Sequence, residues 1–557
     1  MTYYNFIVVG GGIGGLNTAT EILKNIKTPT ITTDHQPLLL LEATNKLGGR
    51  VSTFHKRNIL YEEGAGRIGE HQLLINKLVK HFKLEHLKHP LSSNASNIII
   101  KQPNQPDYLP LQLKYPSIDD IIIELNHLVK KNKITEQHLI NINLLDLADE
   151  LLTSTTTINP ISRYMIDINP YYSELKHFNS KSALEIFTNE FNQTITYYSL
   201  GGNGLIQIIH CLENEIKTNG GIIKLNSKCI SIERHKELFK LQMENSKHTY
   251  YTSNLILALP KDALLNLSIL SSVPRIRKLL NSVVVEPLYR IYAKYSHDTN
   301  GKVWFSGMSK TITNLPVKYI IPINEKTGII MISYTDSIYA KYWLKLRMKG
   351  DAIFMKELNR QLNLIFPLIK IPPPIWISHY YWNAGAAYWK VGSHPEKVMN
   401  EIIQPLGTAV PLFICGENYS THQAWMEGAL ETSNLVIEHL RNSNTFKSLK
   451  FENVEDIINN EIPKNNSKTM NMSKKRTMHS EYTYTMEEVA KHNKKTDAWI
   501  VIHNKVYDIT KWIPIHPGGL IIMKGVGKDA TSLFESVGHD NYARKKLSHY
   551  KIGVLKQ

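Results

Sequence analysis

The sequence predicts an α/β fold joined to a small α+β domain, and three observations carry that prediction. Strand-like and helix-like stretches alternate over roughly the first 440 of the 557 residues. A glycine-rich turn directly follows the first strand-like run, Phe6-Ile7-Val8-Val9. Residues 443–480 then become rich in Asn, Ser, Lys and Met, and residues 481–557 regain a dense mix of aromatic and aliphatic side chains.

A chain of this length holds two or three domains. Its 42% hydrophobic and 20% charged residues exclude a disordered or fibrous protein. Lys+Arg 65 against Asp+Glu 49 gives a net charge of +16. The lysines are scattered along the chain, so no nucleic-acid partner is expected. The cysteines, Cys211, Cys229 and Cys415, form no C-x-x-C pair. That argues against a thiolate zinc site, an iron–sulfur cluster and a thioredoxin-type centre, and it fits a reducing compartment. No apolar run approaches the roughly 20 residues that cross a bilayer. The N-terminus lacks the basic start and small-residue cleavage site of a signal peptide. A soluble, intracellular, cytoplasmic protein without a membrane span is expected.

Taken in order, strands are expected at Leu38–Leu41, Asn254–Leu259 and Gly328–Ser333, and amphipathic helices at His71–Phe82 and Gly204–Lys217. Residues 443–480 read as a linker, because their composition cannot bury enough apolar surface to offset chain entropy; one short helix fits Val454–Asn460. Residues 481–557 suffice for a small domain, which at that size needs a stabilising ligand.

The turn itself reads Gly10-Gly11-Gly12-Ile13-Gly14-Gly15, with Gly10-x-Gly12-x-x-Gly15 between a strand and a helix. The first glycine permits the tight turn, the second lets backbone approach a pyrophosphate, and the third lets the helix pack on the strand. The helix N-terminus then offers unpaired N–H groups to phosphates. The next strand ends in Glu42, whose carboxylate can accept hydrogen bonds from a ribose diol.

Further motifs are Leu47-Gly48-Gly49-Arg50-Val51, then Glu62-Glu63-Gly64-Ala65-Gly66-Arg67-Ile68. Near residue 415 come Phe413-Ile414-Cys415-Gly416-Glu417-Asn418 and Ala424-Trp425-Met426-Glu427-Gly428-Ala429-Leu430-Glu431. In this order the set resembles the flavin-dependent amine oxidase family, which includes monoamine, polyamine and L-amino acid oxidases. The resemblance implies a Rossmann-type FAD-binding domain from residues 1–70, 190–275 and 405–442. An α+β substrate domain, 71–189 and 276–404, would be inserted in it. It further implies that Gly10, Gly12, Ile13, Gly14 and Gly15 line the pyrophosphate and that Glu42 with Ala43 holds the adenosine ribose. Arg50 would lie near the diphosphate, and Gly64, Ala65, Gly66 and Arg67 beside the flavin. Cys229 would contact adenine through its backbone, and Glu417 is the acid after the last strand. Ala424, Trp425, Met426, Glu427, Gly428 and Ala429 would open a helix whose amides face the flavin pyrimidine ring.

For the substrate, the resemblance to L-amino acid oxidases implies that Arg67 binds a carboxylate. Tyr334, in Met331-Ile332-Ser333-Tyr334-Thr335-Asp336, would share that carboxylate. Trp425 and Tyr388 would flank the amine. Other assignments stay open. Arg67 could hold a flavin phosphate or the Glu63 carboxylate, Tyr334 could be a half-buried strand aromatic, and Trp425 and Tyr388 could be packing. The family's further histidine has no counterpart the sequence identifies. One departure stands out: Arg290 occupies the place of a lysine bridged by water to the flavin. A guanidinium is larger and a poorer point donor, which puts efficient reaction with oxygen in question.

Residues 482–555 resemble a cytochrome b5 domain, through Tyr482-Thr483-Tyr484-Thr485, Ala498-Trp499-Ile500-Val501-Ile502, His516-Pro517-Gly518-Gly519 and Val537-Gly538-His539. His516 and His539 match its two axial iron ligands, and Ile521, Phe534 and Val537 would pack on the porphyrin. Without C-x-x-C-H the haem would be non-covalent haem b, and two imidazoles leave no open iron site, which suits electron transfer. A haem-free binding module of the same fold is the alternative. His503 and His549 read as surface residues.

The combined expectation is an FAD-dependent oxidoreductase taking a hydride from the carbon beside an amine, that of an L-amino acid. Electrons would pass to oxygen, through the fused haem, or to a redox partner protein. The alternatives are an oxidase or desaturase of a polyamine or other substrate with a separate redox partner, and a non-catalytic flavin/haem scaffold.

Overall fold

The computed structural model describes residues 2–26, 37–56, 59–91, 97–101, 107–110, 118–152, 177–190, 196–246, 248–443, 445–446, 482–510, 512–513, 516, 519–536, 547 and 550–556. The expected helix at 454–460, Val537, His539 and His549 lie outside these residues. The chain divides into two units, Met1–Lys464 and Asn465–Gln557.

In the first unit, one seven-stranded sheet runs in the order Ile222–Lys224, Leu38–Leu41, Thr2–Val9, Thr249–Leu257, Leu238–Met243, Cys229–His235, with Leu412–Ile414 also paired to Thr249–Leu257. Thr2–Val9 pairs in parallel with both Leu38–Leu41 and Thr249–Leu257. Parallel strands covered on both faces need apolar residues throughout, and Phe6 to Val9 and Leu38 to Leu41 are all buried. The strand expected at Asn254–Leu259 starts earlier, because Tyr250 and Tyr251 pair with Thr2 and Tyr3, and it ends before Pro260. The first helix, Ile13–Asn25, shares a core with the final helix of this unit, Met426–Asn442, through Leu16, Ala19, Val436 and Ile437. The chain stays folded past the expected linker boundary, since the Phe446 ring lies 5.9 Å from that of Phe6.

A second seven-stranded sheet has the order Trp376–Trp389, Val283–Lys294, Ile329–Asp336, Tyr319–Asn324, Thr311–Ile312, Asn97–Ile100, Leu109–Pro110. A three-stranded sheet places Tyr197–Leu200 between Ile68–Gly69 and Lys88–Pro90. The amphipathic helices form at Leu73–His81, inside the expected range, and at Ile206–Thr218, one residue past the expected end.

The second unit is a five-stranded sheet in the order Thr483–Tyr484, Lys551–Leu555, Lys505–Asp508, Asp497–Ile502, Asn493–Lys494. Its first helix, Met486–Lys491, begins with a capping box in which Thr485 and Glu488 satisfy each other's backbone N–H groups. Among the described residues, no helix is long and apolar enough to cross a membrane.

Candidate flavin and haem sites

The glycine turn divides its labour. Gly10 has φ +113°, and a Cβ there would lie 2.2 Å from the Ala258 carbonyl oxygen. A Cβ on Gly15 would lie 2.0 Å from the Gly10 oxygen. Those two are glycine for the protein's own packing. A Cβ on Gly12 would meet no protein atom within 4 Å, and Gly12 caps the first helix with no side chain over its N–H groups. Gly416, after the parallel strand Leu412–Ile414, also faces open space. A cradle of bare backbone at a helix N-terminus is chemically matched to a diphosphate. Glu42 fixes the loop: its carboxylate accepts the N–H groups of Gly11 and Thr44, both at 2.8 Å, while Ala43 beside it is exposed.

Arg50 and Glu417 meet at 2.5 Å, and Arg50 also donates to the Gly385 carbonyl at 3.1 Å. Glu417 in turn accepts the Ala424 N–H at 3.0 Å. Ala424 has φ +67°, a left-handed backbone for a residue with a side chain. Trp425 then caps the final helix and Met426 is its first residue, as the sequence implied. Gly428 is pressed against Ser420 and His422, where a Cβ would lie 2.1 Å from Ser420 Oγ. Ala429 touches the first helix at Gly14, whose Cβ would be 3.0 Å from its carbonyl.

Arg67 follows the segment 62–66 and lies over two rings. Its Cζ is 4.6 Å from the Tyr197 centroid and 5.4 Å from that of Trp425. Those two rings are 5.8 Å apart and inclined by 18°. The three groups form a compact triangle that holds a half-exposed cation by ring quadrupole attraction while its planar donor fork stays directional. His71 stands edge-on to Tyr197 at 5.9 Å. Tyr334 is half-buried, and its ring carries the Arg290 guanidinium at 4.7 Å. Arg290 is buried and donates from Nη1 to the Glu62 carbonyl at 2.9 Å.

Two expected site residues have other surroundings. Tyr388 is 6% exposed and packs against Phe178, ring centroids 4.3 Å apart, in a hydrophobic core, and the ring set against Trp425 is Tyr197. Glu427 accepts the N–H groups of Leu74 and Ile75 at 2.8 and 2.9 Å, so its carboxylate caps the helix Leu73–His81. Cys229 opens its strand with its sulfur turned to the Ser231 carbonyl, and burial pushes its thiol up to about 12. Tyr197 was not singled out in the sequence. Its signal is a Tyr-Tyr strand just before Gly201-Gly202.

In the second unit the His516 ring is half-buried, with Trp512 edge-on at 6.4 Å. Ile521 and Leu533, 57% and 44% exposed, leave apolar surface open, and Phe534 joins the core. Among the described residues there is no cluster of three His, Cys, Asp or Glu side chains. One imidazole with apolar surroundings suits a porphyrin better than a hard cation. His503 is exposed, as expected.

The pattern of a family described as flavin containing amine oxidoreductase matches residues 13–436, a stretch that starts within the glycine turn, contains Arg67 and ends within the final helix. The chain belongs to the flavin containing amine oxidoreductase family. A second pattern, the cytochrome b5-like heme/steroid binding domain, matches residues 485–556. This amine oxidoreductase is similar in fold to a solved structure described as a protoporphyrinogen oxidase from Exiguobacterium sp. 255-15. The TM-score is 0.57 at 14% identity, covering 79% of this chain and 99% of that one. Its C-terminal domain is 51% identical over 74 residues to cytochrome b5 of Drosophila melanogaster, covering 13% of this chain and 55% of that protein. It is 59% identical over 76 residues to acyl-lipid (8-3)-desaturase B of Dictyostelium discoideum, covering 13% of this chain and 16% of that one. The chain thus spans about half the length of the cytochrome b5 it matches. The family brings FAD as cofactor and the b5 domain brings haem, and the residues described above fit both groups.

Proposed function

We propose that this flavoenzyme oxidises an L-amino acid at the carbon beside its amine. When bound, FAD would supply the hydride-accepting chemistry and haem b a one-electron exit beside oxygen. Gly10 to Gly15, Glu42, Arg50 and the amides from Met426 would hold FAD, and His516 with His539 the haem. Arg67 binds the substrate carboxylate through its guanidinium fork, with the Tyr334 hydroxyl as a second donor. Trp425, at the helix start, limits how the amine end can lie.

The observation that supports this reading is the triangle of Arg67, Tyr197 and Trp425. The family's ring faces can serve as a cage for a cationic amine. Here a protein cation already lies over them, so a ligand arriving there meets positive charge and an anionic group is favoured.

The test is anaerobic titration of the full holoprotein with L-amino acids and with matched amines lacking the carboxylate. Amino acids should bleach the flavin bands, and the α-band of ferrous haem should then grow. Arg67→Ala should weaken amino acids by about a hundredfold and amines little. Equal losses for both would remove the amino-acid assignment. Bleaching without haem reduction would remove the haem exit alone.

A further inference from the structure

The geometry points to Arg290 as a positioning residue that fixes Arg67 by clamping the backbone from Glu62 to Gly66. This deepens the reading of Arg67 as the carboxylate site.

Arg290 sits in the strand Val283–Lys294, opposite Tyr334 on one neighbouring strand and Tyr380 on the other. Its side chain is 7% exposed. Nη1 donates to the Glu62 carbonyl at 2.9 Å, and the Tyr292 hydroxyl donates to that same oxygen at 2.6 Å. The flat guanidinium rests on the Tyr334 ring and against Gly66, where a Cβ would lie 3.7 Å from Nη1. One residue on from Glu62, the Trp382 indole donates to the Glu63 carbonyl at 2.8 Å. The substrate-side sheet therefore holds the segment at two successive carbonyls, those of Glu62 and Glu63, and touches it again at Gly66.

The nucleotide-binding half holds it from the other side. The Glu62 carboxylate accepts Thr53 Oγ1 at 2.6 Å and the Leu205 N–H at 2.8 Å. The Ala65 N–H donates to the Arg50 carbonyl at 2.8 Å, and Gly64 packs so closely on that carbonyl that a Cβ would lie 1.9 Å away. Arg67 leaves this anchored strip as its next residue, and its reach to Tyr197 and Trp425 is set by where the strip ends. A lysine at 290 could donate to one oxygen, but it could not lie flat on Tyr334 and Gly66 at once. The arginine acts on substrate through Glu62, Gly66 and Arg67.

The experiment uses full-length holoprotein and benzoate as the carboxylate probe, read by perturbation of the flavin spectrum. Arg290→Lys should weaken benzoate about tenfold, with the melting temperature little changed. Tyr292→Phe, which removes one of the two donors to Glu62, should weaken it by a smaller factor and guards against a misfolded lysine variant. Because Arg290 acts through Arg67, the double variant Arg67→Ala/Arg290→Lys should bind no worse than Arg67→Ala. Tryptic cleavage after Arg67, followed by mass spectrometry, should be faster in Arg290→Lys than in the parent. Unchanged benzoate affinity in Arg290→Lys, or independent multiplied losses in the double variant, would overturn the clamp. If the parent binds no benzoate, the carboxylate reading falls, and the cleavage rate decides the clamp by itself.

Discussion

The guanidinium of Arg50 and the carboxylate of Glu417 meet at 2.5 Å across 367 positions of sequence, tying the second glycine motif to the last one. Glu417 is 4% exposed and also holds the Ala424 N–H. Removing the cation leaves a buried carboxylate without its partner. Arg50→Met should therefore cost about 3 kcal/mol in urea unfolding and release FAD on gel filtration. Glu417→Gln keeps a carbonyl for Ala424 and should cost less.

Two glycines of one turn should behave differently. Gly15→Ala forces a Cβ to within 2.0 Å of the Gly10 oxygen and should destabilise the protein by more than about 2 kcal/mol. Gly12→Ala meets no protein atom, so the urea midpoint should move by less than about 0.5 kcal/mol. Its flavin content should nevertheless fall if, as proposed, the added methyl enters the space the diphosphate takes. Equal flavin content in Gly12→Ala and the parent would remove Gly12 from that cradle.

Glu62 gives the unit a pH signature. Burial pushes its carboxyl from 4.5 up to about 7, against the hydrogen bonds from Thr53 and Leu205 and the charge of Arg290. A raised carboxyl pKa means the folded state binds the extra proton. This stabilisation is complete below about 4.5 and is lost as pH rises to about 7, by about 3 kcal/mol in all. Glu62→Gln should flatten that part of the stability profile, so the difference in melting temperature between the two proteins should change across pH 5–8. A constant difference would contradict the raised pKa.

The second unit should lose its chromophore independently. His516→Ala should abolish the Soret band of the full-length protein while the flavin absorbance stays unchanged, since the two proposed sites lie in different compact units. Retention of a b-type spectrum would show that His516 does not hold the iron.

Local signals made the nucleotide half readable. The glycine turn, Glu42 and Trp425 each owe their position to a strand or helix end encoded within a few residues. Tyr388 came from the motif resemblance, and the ring it meets, Phe178, lies far away in sequence, a tertiary contact the motif does not encode. Glu427 sits in a cofactor motif, yet its partner is the end of a helix 352 positions away, which spacing cannot disclose. Tyr197 reaches Arg67 through the pairing of Gly69 with Tyr197, again a tertiary fact.

Cys229 and Cys415 lie on or beside the nucleotide sheet, and burial pushes both thiols up to about 12. Near neutral pH the reactive thiolate form of either is therefore disfavoured. Peroxide released by a stray reaction with oxygen would then find sulfur in its least oxidisable form. Alkylating reagents used to probe the folded protein should likewise leave these two side chains untouched.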